Sequence, residues 1–325
     1  MKFSVFIKQM RKIAQLSQLE MVQHLALKDK VFSDLTLVTY NRWERGVSTP
    51  PMTKMLRFAK IFDADIYDFL IRIEFKQSKT QIRYFDEFLK HFDDMSNHFR
   101  LFSNGIFDAK FIFNHKDDSE ITDQQLLQVK KQWNVFLNQK NTEDNKVNLP
   151  ILKALHSCGS LSLSSCIIPG TEVSIANGIY IIQSSEKENV LTKSLENHSL
   201  KISDLSYESQ KIESEKLLLL PLIMPYSPSW LRFNIYHLVK TFSNIKNINR
   251  FYLVTANKKS FSKFKNIGFN IEKTIKSQIN SKITNRNSEI DTKEDINLYL
   301  LSCDFNDFIS NHGVIKIIKA YDTEN

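Results

Sequence analysis

Residues Val38-Thr39-Tyr40-Asn41-Arg42-Trp43-Glu44-Arg45-Gly46 decide how the first part of this chain is read. Tyr40 and Trp43 stand three apart, so in a helix both large rings share one face and turn toward a core. Leu37, Val38, Asn41 and Arg42 are then left on the opposite face. Thr36 stands where an N-cap is expected, and Gly46 where a helix stops. The outward face therefore carries a planar cation, an amide and two aliphatic residues. Such a set can read the edges and methyl groups of base pairs.

The neighbouring residues extend the pattern. Phe3, Ile7, Met10 and Ala14 recur at helical spacing. Ser17 with Glu20 three residues on is a capping-box signature for a second helix. A fourth helix follows Pro50-Pro51 and places Met52, Met55, Leu56, Ala59 and Ile61-Phe62 inward, and a fifth covers Asp65 to Ile71. Residues 1–72 thus read as a small all-α domain of five short helices.

Leu16-Ser17-Gln18, Asn41-Arg42-Trp43-Glu44-Arg45-Gly46 and Pro51 together resemble the Xre/Cro/cI-type helix-turn-helix transcriptional regulators. The resemblance implies double-stranded DNA as partner, a recognition helix in the major groove, and a homodimer on half-sites about one helical turn apart, roughly 34–36 Å. On that reading Arg42 meets guanine, Asn41 adenine or phosphate, and Leu37 and Val38 thymine methyls. Thr36, Arg45, Lys54 and Gln18 meet phosphates. One departure stands out. Ala26 to Leu35 is inserted where such domains have a turn of about 3–4 residues. It must bulge or extend a helix, which leaves the start of the recognition helix open by a residue or two. Lys28 and Lys30 within it either reach the phosphate backbone or sit on a solvated loop.

Composition agrees with an anionic partner. The 325 residues carry 44 Lys plus Arg against 36 Asp plus Glu, a net charge of +8. Only 7 Gly and 7 Pro are present, so regular structure should dominate and glycine-lined phosphate sites should be scarce. Cys158, Cys166 and Cys303 are odd in number and lack CxxC spacing, which argues against a disulfide framework or a structural zinc site. His91 and His98 with Asp93 and Asp94 on one helix do not converge as metal ligands should, and His156-x-Cys158 lacks a partner pair. Neither a metal nor a cofactor is expected. The longest apolar run, Leu217 to Met224, is far short of the roughly 20 residues that span a bilayer. A cytoplasmic protein without membrane partners is the expectation.

Residues 73–148 read as a helical connector. Phe85, Phe88, Phe92, Met95, Phe99 and Phe102 form a heptad-like seam from Gln77 onward, and Leu126, Val129, Trp133 and Phe136 repeat the steps within Ile121 to Asn138. These helices pair with each other or cover a core; the alternative is a dimerisation surface. Asn141 to Asn148 reads as a linker. From residue 149 to 325 strands alternate with helices, at Ser174–Gln183, Lys216–Met224, Arg250–Thr255 and Asn297–Cys303, with helices at Trp230 to Phe242 and Lys258 to Asn266. That order predicts an α/β domain with a partly parallel sheet. Glu186–Glu215 reads as loops or edge elements, and the polar residues 272–295 as a long loop.

The order strand, helix, strand, Asn257, helix and Ile267-Gly268-Phe269 between Leu217 and Ile275 resembles the core of the GCN5-related N-acetyltransferase fold. The family's chemistry lacks its parts here. The stretch from Pro225 to Phe233, where the family holds a pyrophosphate, has no glycine, and Phe264 stands where the family's general acid is a tyrosine. Tyr252 is a poor substitute, since strand alternation could bury it. No catalytic residue is assigned, and the domain reads as a non-catalytic sensor or assembly module for a small molecule or protein. From Tyr236 to Arg286 there are eleven Lys or Arg and one acid, Glu272. This is a solvated surface or a second phosphate-facing one. The expected function is sequence-specific transcriptional regulation. The alternatives are an acyl-CoA-dependent N-acyltransferase fused to a DNA-binding domain, and a phage-repressor or antitoxin type of interaction module.

Overall fold

The computed structural model describes residues 1–100, 110–115, 122–127, 149–168, 170, 174–196, 216–223, 227–255, 258–285 and 288–324. The chain opens with α1 (Phe3–Ile13), α2 (Gln18–Lys28), a 3-10 turn (Lys30–Phe32), α3 (Leu37–Glu44), α4 (Met52–Ile61) and α5 (Ile66–Arg72). Local chemistry sets these boundaries. The Ser17 hydroxyl accepts from the Glu20 N–H while the Glu20 carboxylate accepts from the Ser17 N–H, which closes the expected capping box. Asp65 caps α5 by accepting from the Asp68 N–H. Phe3, Phe6, Phe58 and Phe69 pack edge to face or tilted at the centre of the bundle.

The inserted stretch neither bulges nor frays. α2 runs on to Lys28, and Asp29 accepts from the Val31 N–H to start the 3-10 turn. The other oxygen of Asp29 pairs with Arg57 at 3.0 Å. Phe32, fully buried, and Leu35 then anchor the segment in the core. Lys28 and Lys30 are exposed.

The contacts of the backbone divide the chain into two compact units. One gathers Met1–Asp86 with Leu238–Ile245 and Asn306–Asn325, so the five helices share a unit with two segments from much later in the chain. Within it, the start of α6 (Lys79–Arg100) and α12 (His312–Glu324) lie side by side. Any Cβ on Gly313 would fall 2.3 Å from the Phe85 ring. The Lys319 ammonium donates to the Ile73 carbonyl at 2.7 Å, Tyr67 donates to Asp322, and the Ile66 N–H donates to Asn244 at 2.6 Å. His312 Nδ1 accepts from the Ser78 N–H at 2.6 Å, and burial holds this imidazole below its ordinary pKa.

The other unit, Glu87–His237 and Lys246–Phe305, is built on a seven-stranded sheet. Its strands are β1 (Lys110–Asn114), β2 (Leu161–Ile167), β3 (Ser174–Ser184), β4 (Lys216–Ile223), β5 (Ile248–Thr255), β6 (Asn270–Asn285) and β7 (Ser288–Asp304), in the order β1-β2-β3-β4-β5-β7-β6. Among the described residues only β4 and β5 run parallel. The helices of this unit are α7 (Leu149–Ser157), α8 (Glu188–Glu196), α9 (Pro228–Phe242) as far as His237, and α10 (Lys258–Asn266); of the short α11 (Phe305–Ile309) only Phe305 belongs to it. α9 lays Trp230 and Phe233 on Phe111, Cys166 and Ala176, and α10 sets Phe264 on Phe269 and Phe88. Buried Ser164 and Tyr180 both donate to Asn234 Oδ1, and the Asn234 amide donates to the Trp230 carbonyl at 2.7 Å. A helical N-terminal part followed by a mixed α/β part is therefore the architecture.

The structure differs from the sequence-based expectation at four places. Residues 272–295 form no loop; they belong to the β6–β7 hairpin, whose pairing runs to Asn285↔Ser288. Glu186–Glu215 contains α8, which follows a 3-10 turn at Ser185–Lys187. The serine-rich β2 and the short β1 complete the sheet at one edge. After Asp304 come two helices for which the sequence reading made no provision. Of Ile121 to Asn138, residues 123–127 are helical, Thr122 precedes that helix, and 121 and 128–138 lie outside the described residues, as does the linker at 141–148. In the phenylalanine seam Phe85 and Phe88 are buried, while the side chains from Phe92 onward lie outside the described ones.

Candidate nucleic-acid interface

α3 is eight residues long and begins where Thr36 accepts from the Thr39 N–H at 3.2 Å. Its end is equally defined. Gly46 takes a left-handed φ of 72°, and the Val47 N–H folds back onto the Arg42 carbonyl. Tyr40 and Trp43 are buried, as their spacing required. Val38 is 70% exposed and Leu37 41%, and Arg42 and Arg45 also stand in solvent. Lys54, in the first turn of α4, is half-buried. Thr36 is exposed at the helix entrance.

Beneath this face runs a chain of polar side chains. Glu44 is 9% exposed. Arg11 of α1 reaches it with Nη2 on Oε1 at 2.7 Å and Nε 3.2 Å from both oxygens. Gln18 Nε2 donates to Glu44 Oε2 at 2.9 Å, and Asn41 Nδ2 donates to Gln18 Oε1 at 2.9 Å. Arg11 Nη1 also donates to the Leu16 carbonyl, tying in the α1–α2 turn. Burial alone would raise the Glu44 carboxyl. The hydrogen bonds from Arg11 and Gln18 outweigh it and hold the group below its usual range, so it stays ionised. The same pairing raises the Arg11 guanidinium. Three helices are thereby fixed to one carboxylate.

Two of the residues expected to face nucleic acid, Gln18 and Asn41, are thus bonded to each other and only half-exposed. Each side-chain amide has two donors and a carbonyl oxygen. Asn41 spends one donor on Gln18, so its oxygen and second N–H stay open among the described residues. The structure brings Gln18 against Asn41 of α3. The sequence had no local signal for that pairing, because the two residues stand 23 apart.

The second unit has been given other bonds at the positions where acyl-transfer chemistry would need open groups. Ser227 Oγ accepts from the Trp230 N–H at 3.0 Å, capping α9, and Trp230 is fully buried. Phe264 is buried against Phe88. Tyr252 is 3% exposed; its hydroxyl donates to Glu188 and accepts from Arg250. Burial first, then the bond to Glu188, pushes that phenol up to about 12. Asn257 lies outside the described residues. In the cationic run Arg250 pairs with Glu188 and Glu272, and Lys263 with Glu87. His91 bonds Ser260 and His156 bonds the Leu161 carbonyl. Among the described residues no three ligating side chains converge on a metal position, and no helix is long and apolar enough to cross a membrane. A scan against protein-family models finds no match to the chain, and neither does a search of curated proteins.

Proposed function

We propose that this chain is a sequence-specific DNA-binding transcriptional regulator of the Xre/Cro/cI-type helix-turn-helix class, acting as a dimer in the cytoplasm. The observation that carries the reading is the division of α3 into two faces. Tyr40, Trp43 and Glu44 lock one face into the bundle, while Leu37, Val38 and Arg42 leave the other exposed. A helix held rigidly with an arginine and aliphatic groups outward is suited to major-groove readout, since side-chain placement must be fixed before base edges can be told apart. Arg42 then meets guanine, and the open oxygen and N–H of Asn41 meet adenine. Thr36, Gln18, Arg45 and Lys54 lie on phosphates.

The C-terminal α/β unit is proposed as a sensing or assembly module on a degenerate GCN5-related acyltransferase frame. Its β4, α9, β5, α10 and β6 follow the order of parts on which that resemblance rests. The capped α9, the buried Phe264 and the bonded Tyr252 favour a non-catalytic role over retained acyl transfer.

Selecting bound duplexes from a randomised pool tests the first proposal. The intact protein should enrich an inverted repeat, and Arg42→Ala should lose about 1–3 kcal/mol with one base position relaxed. Equal loss on every sequence would assign Arg42 to phosphate alone. No enrichment at all would remove the DNA-reading proposal. Calorimetric titration with acetyl-CoA tests the second, and binding with turnover would restore the acyltransferase alternative.

A further inference from the structure

A helix-turn-helix closes with about 3–4 residues, so most of Ala26 to Leu35 is surplus to the joint between α2 and α3. Surplus chain is costly to order, yet this stretch is held throughout. The Asp29 N–H donates to the Leu25 carbonyl, and the Phe32, Ser33 and Leu35 N–H groups fold back onto the carbonyls of Asp29, Lys30 and Phe32. Arg57 of α4 grips the Asp29 carboxylate, and Phe32 and Leu35 are sunk in the core. The inserted segment therefore presents a fixed outer surface.

That surface carries positive charge. Lys28 and Lys30 stand exposed on either side of Asp29 in the chain, and the charge of Asp29 is taken up by Arg57 at 3.0 Å. Neither lysine has an ion pair among the described residues. Their placement follows from the turns. Lys30 precedes Thr36, the exposed cap of α3, by six residues, and at about 2 Å per residue in 3-10 geometry the two lie roughly 12 Å apart. The major groove is itself about 12 Å wide, so a helix seated in it has phosphates on its walls at that range.

We infer that the inserted segment is a second phosphate-binding surface, through which Lys28 and Lys30 extend the hold on duplex DNA along its backbone, beyond the bases that α3 reads. The inference rests on the DNA-reading role proposed for α3. Phosphate suits these groups, because an ammonium is a compact point charge that needs no bidentate geometry. A phosphate contact positions the protein and carries no sequence information. The segment therefore adds affinity and fixes the register of α3 in the groove without changing which bases are chosen. Asp34, exposed on the same segment, opposes the contact.

The test is binding of the full-length protein to the duplex it enriches, measured between about 50 and 200 mM salt. Each phosphate neutralised on B-DNA contributes about 0.9 to the slope of log K against log salt. Lys28→Gln with Lys30→Gln should therefore flatten the slope by about 1.8, and Asp34→Asn should tighten binding. The double variant should weaken on selected and unselected duplexes by the same factor, leaving sequence preference unchanged. Phosphate ethylation separates local contact from net charge. Ethylation at one group of phosphates should weaken the wild type but not the double variant, while the other sensitive phosphates stay sensitive in both. Circular dichroism checks that each variant keeps its fold. An unchanged slope, or an ethylation pattern identical in the two proteins, would overturn the inference and leave base reading by α3 standing. A wild type that binds no duplex would remove the DNA reading and this inference with it.

Discussion

Removing Arg11 tests whether one carboxylate ties the three helices together. Arg11→Met keeps the aliphatic stem and deletes the fork that holds Glu44 at 2.7–3.2 Å. Breaking a buried ion pair from one side typically costs about 3–5 kcal/mol, because a charge is left behind without its partner. Here Gln18 still donates to Oε2, and Arg11 is partly open to solvent, so about 2–3 kcal/mol is expected. Hydrogen exchange of the α3 amides in the intact chain reads this directly, as a roughly 30- to 150-fold acceleration. Acid supplies the sign. In the wild type the Glu44 carboxyl sits below its ordinary range, so its contribution is complete above that range and fades as pH falls through it and below. In the variant burial opposes the charged form, so protonation relieves it and the difference between the two proteins shrinks in acid. A loss under about 0.5 kcal/mol at neutral pH, or a difference that ignores acidification, would refute the reasoning.

Three further outcomes follow from other parts of the molecule. Phe32→Ala empties a fully buried site beneath the inserted segment and should cost about 3–5 kcal/mol, read as faster exchange in α2 and α3. Gly178→Ala drives a Cβ to 2.5 Å from Ser164 Oγ and 3.1 Å from Asn234 Oδ1, so the melting of the sheet unit should fall by the equivalent of about 1–3 kcal/mol. His312 is held below its ordinary pKa by burial and accepts a backbone N–H, so its contribution is full above the ordinary histidine range and lost as pH falls through that range. The protection factors of the α12 amides, corrected for the intrinsic slowing of exchange in acid, should therefore fall below about pH 6 in the wild type and stay level there in His312→Asn.

The five N-terminal helices were legible because their signals are local. Ser17 with Glu20, Asp65, Thr36 and Gly46 mark ends, and Tyr40 and Trp43 mark a face. The edge of the sheet was not. β2 reads Leu161-Ser162-Leu163-Ser164-Ser165-Cys166, a serine-rich stretch that looks solvated. It is buried because Ser164 and Ser165 bond Asn234 and Asn177, partners that only the tertiary structure supplies. In the outer part of β6 the aliphatic residues fall only at every fourth position, with Ser277 and Ser281 between, so the two-residue alternation that marks a strand is not visible there. On α3 the exposure of Leu37, Val38 and Arg42 could be read from helical spacing. The bonds linking Arg11, Gln18 and Asn41 to Glu44 could not, since they join three helices whose packing no local pattern encodes.

The place of α12 beside α5 has a consequence for synthesis. Lys319 follows the Ile73 carbonyl it bonds by 246 residues. At about 5–20 residues per second, a ribosome needs roughly 12–50 s to supply that distance. The five helices leave the ribosome with their own capping signals in place, yet the surface that receives α12 waits uncovered while the intervening residues are made. This unit is closed only when its distant last segment arrives. Pauses, or termination anywhere between α5 and residue 306, are felt at the five helices.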